Sequence, residues 1–232
     1  MENGTLVLYH DSCNDGFCAA WLWQKYATWS KDVEYWAVQY GKPAPTDEEI
    51  RHRHVVILDF SYPREELERI KRTATSLLVL DHHKTAQEAL SGLPYCRFDL
   101  EKSGARLTWE YLSEICGFQG YPSPMLVDYT EDRDLWRHIL PNSGAINAAI
   151  FSYPRTWSIW DLLEKKGGGE LSQEGVAILR YQDGLIAPKT FKKKVLYAVI
   201  GGYVVPVVNA TCLLSEIAGT LAKEEAFAAC FF

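Results

Sequence analysis

The chain has 232 residues, of which 47% are hydrophobic and 23% charged, a composition typical of a globular protein with room for one large domain and part of a second. Its net charge of −6 argues against a protein that coats long nucleic acid, because such proteins neutralise many phosphates with a broad cationic face. No apolar stretch approaches the roughly 20 residues that span a bilayer, and residues 1–4 lack a signal-peptide pattern. We therefore predict a cytoplasmic protein that does not bind membranes.

A strand, a turn and a helix open the chain. Residues 5–9 form an apolar strand candidate that ends at His10, and the polar turn that follows leads into an apolar helix over residues 17–26. This order places His10, Cys13 and Asp15 on one loop. The six cysteines include no Cys-x-x-Cys pair, so we expect buried thiols at the positions other than Cys13 and no disulfide framework.

Strands and helices then alternate, which predicts a parallel sheet with helices on its faces. Asp59 directly follows one predicted strand, and Asp81, His82 and His83 follow the next. Because the carboxyl ends of parallel strands share one edge of the sheet, groups at these positions are expected to meet there. The alternating elements are strands 33–38, 55–58, 76–80 and 95–98 and helices 64–72 and 103–116.

Residues 125–136 carry a cluster of acids interleaved with apolar side chains. A solvated acidic surface is the usual explanation of such a cluster. Here the apolar residues predict that one side is buried, and buried carboxylates need a partner or a metal. The acids are Asp128, Glu131, Asp132 and Asp134.

The remaining residues predict a connector and a small second domain. Short helices over residues 142–163 precede a Gly-rich break at 167–169 and a long helix that ends in lysines 192–194. A hairpin over 196–208, a helix over 213–221 and a strand over 227–232 follow. We predict an α/β fold with a sheet domain (1–170), a helical connector (171–195) and a partial α+β domain (196–232).

The groups at the strand ends suit a metal centre. Carboxylates and imidazoles bind Mn²⁺, Mg²⁺, Fe²⁺ or Zn²⁺, and converging acids would repel one another without a cation. Two neighbouring metals can activate a water and clamp a phosphoryl group. The pattern therefore predicts hydrolysis of a phosphoester.

With these motifs the sequence resembles the DHH family of phosphoesterases, which includes RecJ-like exonucleases, short-oligonucleotide RNases and cyclic-dinucleotide phosphodiesterases. The resemblance covers about residues 5–136, and the part from Leu196 onward is similar to the beginning of the associated DHHA1 domain. The four matching segments are residues 10–16, Asp59 in Ile-Leu-Asp-Phe-Ser-Tyr, Asp81-His82-His83, and Asp132 in Glu-Asp-Arg-Asp-Leu-Trp.

The resemblance implies a role for each matched residue. His83 would contact the phosphate or leaving group, and Asp81 would orient a histidine, as metal-bound imidazoles require. Asp134 is the alternative to Asp132, although a salt bridge to an arginine is the favoured role for Asp134; Asp128 and Glu131 are assigned to the surface or to structure. The ligands implied for one metal are His10, Cys13 and Asp59. Those implied for a second are Asp15, Asp59, His82 and Asp132.

Two features depart from the family pattern. Cys13 stands where the family commonly has aspartate. A thiolate there would favour a softer ion such as Zn²⁺ or Fe²⁺, whereas a neutral thiol would leave that metal site weak or empty. The residues up to Phe232 lack the Gly-rich, His-containing motif with which a DHHA1 domain grips substrate.

Two hypotheses follow from the residues and the resemblance. The first is a metal-dependent phosphodiesterase acting on short oligonucleotides or on linear or cyclic dinucleotides, with Mn²⁺ as the expected metal; a phosphomonoesterase is its nearest rival. The second is a nucleotide-binding or assembly module that has lost turnover.

Overall fold

The computed structural model describes residues 4–11, 13–190 and 195–232. The predicted lysine-rich end of the connector, at 192–194, lies outside the described residues, as does Ser12 of the first motif. The chain forms two compact units, Met1–Ser172 and Gln173–Phe232.

The first unit contains a five-stranded sheet in which every pair of neighbouring strands is parallel. The strand order is β2-β1-β3-β4-β5, so the chain passes from β1 to one side and then crosses to the other. Ligands bind at such a switch point in open α/β sheets, outside the carboxyl ends of the strands. The strands are β1 (Thr5–His10), β2 (Val33–Val38), β3 (His54–Leu58), β4 (Ser76–Asp81) and β5 (Cys96–Phe98).

Helices cover both faces of this sheet, which confirms the predicted fold class. One core lies around Trp21 and Trp160 and the other around Phe60 and Ile70, all of them almost completely buried. The helices of the unit are α1 (Asn14–Tyr26), α2 (Asp47–Ile50), α3 (Arg64–Thr73), α4 (Lys84–Leu90), α5 (Gly104–Cys116), α6 (Met125–Asp134) and α7 (Ser143–Ser152), together with the first part of α8 (Trp157–Thr190).

The ends of two helices follow directly from the sequence. The Ser103 side chain accepts a hydrogen bond from the N–H of Arg106, which caps the start of α5, and Gly117 ends the helix with φ 75°. The Gly-rich break predicted in α8 is confined to Gly167, whose φ of 71° interrupts the helix; the two glycines that follow are helical.

The second unit has a small mixed sheet, as the partial α+β prediction requires. β6 (Leu196–Ile200) and β7 (Tyr203–Asn209) form an antiparallel hairpin, and β8 (Ala229–Phe231) pairs with β7 in parallel. Gly201 and Gly202 turn the hairpin, both with positive φ. Helix α9 (Leu214–Leu221) buries Ile217 against this sheet.

The described part of the chain contains no helix with the length and apolarity of a membrane span.

Candidate metal centre

The register of the sheet brings three polar residues side by side at the carboxyl ends of β1, β3 and β4. Tyr9 pairs with Leu58, and Leu58 pairs with Leu80. The residues that directly follow these three, His10, Asp59 and Asp81, therefore lie side by side across the sheet. The predicted meeting of these strand ends is therefore a consequence of parallel pairing in register.

Asp59 occupies the middle of this row. Its Oδ2 lies 3.6 Å from Nδ1 of His10, and its Oδ1 lies 3.1 Å from Nε2 of His82. The residue adopts a left-handed conformation with φ 55°, which aspartate tolerates better than most residues. This conformation directs the chain away from β3 immediately after the strand ends.

The Asp59 carboxylate has the character of a metal ligand. The residue is 1% exposed, and neither oxygen makes a contact with hydrogen-bond geometry among the described residues. Buried carboxylate oxygens are normally paired, because leaving them without a partner costs the full desolvation penalty. Burial would raise the pKa of Asp59, but its contacts with His10 and His82 and the charge of the imidazoles lower it to about 2. The group is therefore a buried anion held between two imidazoles.

Asp15 is the second acid of the centre, and helix α5 holds it. Its Oδ2 accepts a hydrogen bond from the N–H of Gly104 (2.6 Å), and its Oδ1 accepts one from Ala105 (3.0 Å). These amides are among the unpaired donors of a helix N-terminus, which favours a negative charge. The same Oδ2 lies 3.8 Å from Nε2 of His82. Burial, followed by the charges of Asp59 and Asp134, raises the pKa of Asp15 well above its usual value.

Two glycines permit this close packing. A Cβ on Gly104 would lie 2.5 Å from Cβ of Asp59, and a Cβ on Gly16 would overlap the carbonyl oxygen of His10. The backbone of Gly104 passes too near Asp59, and that of Gly16 too near His10, for any side chain.

Asp134 lies in the acidic group, where the sequence predicted Asp132. Oδ2 of Asp134 lies 3.5 Å from Nε2 of His82. Oδ1 of Asp132 instead accepts a hydrogen bond from the N–H of Ile139 (2.9 Å), and its Oδ2 accepts one from Leu140 (3.5 Å), so this carboxylate holds the loop after α6. Asp134 contacts His82, and the charge of Arg133 also acts on its carboxylate.

The charge of the centre reflects its crowding. Burial and the nearby charge of Asp59 raise the pKa of Asp134. Burial opposes the charging of His82, but its contact with Asp59 and the charge of Asp15 raise its pKa to about 9. Without a cation, the carboxylates therefore repel one another and compete for protons and for the imidazole of His82. A bound metal ion would relieve this repulsion.

Asp81 lies behind the ring of His83. Its Oδ1 is 2.6 Å from Nδ1 of His83 and also accepts the backbone N–H of His82 (2.7 Å). Its Oδ2 accepts a hydrogen bond from the Ser61 hydroxyl (2.5 Å). The bond to Asp81 raises the pKa of His83. The fully buried carboxylate thus fixes both the ring of His83 and the backbone that carries His82.

Cys13 lies beside His10 and Asp59. Burial, then the charges of Asp59 and Asp15, raise the pKa of its thiol, so the thiol is neutral in the absence of a cation. A coordinated metal reverses this effect, since it deprotonates a thiol ligand.

Three groups of potential ligand atoms emerge among the described residues, with the atoms of each group within 4.8 Å of one another. The first and second groups share Asp59, and the second and third share His82, so they form one continuous centre. Sequence reasoning missed the roles of Ser61 and Gly104; the only signal was their place beside the strand end and the helix cap. The groups are His10, Cys13 and Asp59; Asp59, His82 and His83; and Asp15, His82 and Asp134.

The fold that carries this centre is RecJ-like. The chain is similar to the crystal structure of exonuclease RecJ bound to manganese, with a TM-score of 0.52 and 12% sequence identity over 97% of this chain and 75% of that one. At this identity the likeness defines the fold alone.

Two further proteins are similar to this chain. An uncharacterized protein from Helicobacter pylori G27 has a TM-score of 0.49 and 11% identity over 95% of this chain and 79% of that one. Uncharacterized protein R106 of Acanthamoeba polyphaga mimivirus is 30% identical over 208 residues, which are 81% of this chain and 47% of that protein. The chain thus spans about half the length of this curated relative. No protein-family model matches the chain.

Proposed function

We propose that this protein is a metal-dependent phosphodiesterase of the DHH family that hydrolyses short oligonucleotides, or linear or cyclic dinucleotides, to nucleoside monophosphates. The observation that carries the proposal is the Asp59 carboxylate. It is buried between the imidazoles of His10 and His82, and neither oxygen has hydrogen-bond geometry with a described residue. A buried carboxylate placed in this way would be available to divalent cations.

The residues present fit two ions that share this carboxylate. Divalent ions bound there would act as Lewis acids on the phosphate and would lower the pKa of a bound water. The ligands proposed for one ion are His10, Cys13 and Asp59. Those proposed for the other are Asp15, Asp59, His82 and Asp134.

Mn²⁺ is the proposed metal. Oxygen and imidazole ligands dominate the set, and the solved RecJ structure of the same fold is bound to manganese. The thiol of Cys13 is the one soft ligand, and its coordination as a thiolate would shift the preference of the first site toward Zn²⁺ or Fe²⁺. Substitution of Cys13 by aspartate should therefore strengthen Mn²⁺ relative to Zn²⁺ at that site.

His83 is the residue proposed to act on the phosphate. Its Nδ1 is held by Asp81 at 2.6 Å, so Nε2 is the nitrogen available to a substrate, and the side chain is 35% exposed. The bond to Asp81 stabilises the charged imidazole, which can donate a hydrogen bond to a phosphate oxygen or a proton to the leaving oxygen. Asp81 orients this ring and does not itself reach the substrate.

The substrate class follows from charge and from the fold. The net charge of −6 disfavours a long cationic track, so affinity must come from the centre itself and from the few groups around it. A short substrate with one or two phosphates suits such a local site. The exonuclease named among the structures of this fold supports a phosphodiester over a phosphomonoester.

The test compares three substrates in Mn²⁺: a labelled dinucleotide, a model phosphodiester and a phosphomonoester. We expect cleavage of the two diesters, with loss in Asp59→Asn and His82→Ala and retention in the control Asp183→Asn, which changes an exposed carboxylate on α8. Calorimetric titration with Mn²⁺ should show two sites in the wild type and weakened binding in both centre variants.

Each other outcome has a definite meaning. If the protein binds nucleotides but cleaves none in Mn²⁺, Zn²⁺ or Fe²⁺, it is a nucleotide-binding module and not an enzyme. Absence of metal binding in the wild type would overturn the whole proposal.

A further inference from the structure

An exposed aromatic side chain stands at the edge of the metal centre, on a turn that directly follows β2. The N–H of Lys42 donates a hydrogen bond to the carbonyl of Gln39 (3.2 Å), and Gly41 between them has φ 78°, the conformation that the third residue of a type II turn requires. Nε2 of Gln39 donates a hydrogen bond to Oδ2 of Asp11 (2.8 Å). This bond ties the turn to the loop after β1, and Tyr40 is the second residue of the turn.

The ring of Tyr40 touches two residues of the centre. Its centroid lies 5.5 Å from that of His10 and 6.1 Å from that of His83, and both pairs are edge-to-face. Phe60 supports the ring from the protein side at 4.6 Å. The contacts hold the ring in one place beside the metal ligands.

Exposure separates Tyr40 from an ordinary core aromatic. Tyr40 is 55% exposed, whereas Phe60 is 1% exposed. An open aromatic surface on a rigid support beside a phosphate-binding centre is the arrangement used to stack nucleic-acid bases, because every base has a π-face.

We propose that Tyr40 is the stacking platform for the nucleobase attached to the phosphate at the metal centre. The inference rests on the proposed function and deepens it, since it identifies the side chain that would bind the base of the nucleotide substrate. A base is joined to its phosphate through a single ribose, so a ring in contact with His10 and His83 lies within reach of that base. Stacking tolerates any base, so Tyr40 provides a preference for nucleotides without a preference among them.

The competing explanation is that Tyr40 only braces the two histidines. A brace would affect every substrate equally, whereas a stacking platform affects only substrates that carry a base. Two dinucleotides that differ only in whether a base or a hydrogen stands on each sugar therefore separate the two explanations.

The variants are Tyr40→Leu, which removes the aromatic face but keeps apolar bulk, and Tyr40→Phe, which keeps the face. The matched control is Tyr121→Leu, an exposed tyrosine outside the centre. We expect Tyr40→Leu to lower kcat/KM for the base-carrying dinucleotide about 5- to 100-fold, mainly through KM, and to lower it much less for the abasic dinucleotide. Tyr40→Phe should restore the preference for the base-carrying dinucleotide, and Tyr121→Leu should match the wild type on both substrates.

A binding measurement supplies a readout that does not depend on turnover. The fluorescence of 2-aminopurine riboside 5′-monophosphate falls when its base stacks, so titration with protein should quench it in the wild type and in Tyr40→Phe. The quench should be lost in Tyr40→Leu, whose urea unfolding midpoint must match that of the wild type.

The outcomes distinguish this inference from the proposed function. An equal loss on the base-carrying and abasic substrates, or no change in Tyr40→Leu, would overturn the stacking role and leave the hydrolase in place. Quenching that depends on Tyr40, with no cleavage of any diester by the wild type, would overturn the hydrolase and support the platform.

Discussion

Substitution of Gly104 by alanine tests how the centre is assembled. The added Cβ would lie 2.5 Å from Cβ of Asp59 and 2.9 Å from its Cα, whereas ordinary contacts begin at 3.4 Å. Because one of the two opposing atoms belongs to the backbone, a change of rotamer cannot relieve the overlap. Helix α5 and the end of β3 must separate by roughly 1 Å, and overpacking of this kind costs about 1–3 kcal/mol.

The same shift should damage the centre itself. The N–H of Gly104 donates to Asp15, so a displaced helix moves Asp15 away from Asp59. A misplacement of about 1 Å can reduce a rate on the order of 100-fold. We therefore expect Gly104→Ala to weaken Mn²⁺ binding and diester cleavage as well as stability.

Tryptophan fluorescence during urea unfolding measures the loss of stability. The eight tryptophans of the chain all precede residue 173, so the signal reports on the first unit alone. The matched control is Gly169→Ala, where an added Cβ meets no atom within 4 Å and the helical backbone should gain about 0.5–1 kcal/mol. An unfolding midpoint for Gly104→Ala equal to that of the wild type would refute the proposed close packing of α5 on Asp59.

Four further substitutions test individual contacts by urea unfolding and Mn²⁺ calorimetry. Asp134→Asn should weaken Mn²⁺ binding. Asp132→Asn should keep Mn²⁺ binding but lose about 1–3 kcal/mol of stability, because the amides of the following loop lose a charged acceptor. Weaker Mn²⁺ binding in Asp132→Asn alone would show that Asp132 is the ligand. Arg106→Leu should cost about 3 kcal/mol, since it leaves buried Glu131 without its cation; an unchanged midpoint would contradict this. Ser61→Ala should cost about 1–3 kcal/mol by removing the donor to Asp81 and should lower cleavage more than Mn²⁺ binding.

The strand ends illustrate what a pattern of residues can predict. Short apolar runs that stop at His10, Asp59 and Asp81, separated by helices, indicate a parallel sheet with chemistry at one edge. The register confirms why this works: residues that follow paired strand positions reach the same level. Parallel pairing converts positions far apart in the chain into neighbours, and the pattern needs no side-chain detail to reveal it.

Asp132 and Asp134 illustrate where such a pattern stops. Both acids lie in the last turn of α6, two residues apart, so neither spacing nor composition separates them. The direction of each carboxylate depends on the loop after the helix, whose amides at Ile139 and Leu140 turn back to Asp132. That return is a tertiary contact, and it leaves Asp134 to face His82.

The amino-acid sequence by itself determined the alternating α/β architecture, the edge at which the polar groups gather and most of the residues proposed as metal ligands, because hydrophobic periodicity and strand ends are local properties of the chain. The tertiary structure alone decided that Asp134 joins the centre, that Gly104 lies against Asp59, and that Tyr40 stands exposed beside two histidines. Those three facts depend on how closely separate segments approach one another, and distances between segments are set by packing of the whole unit.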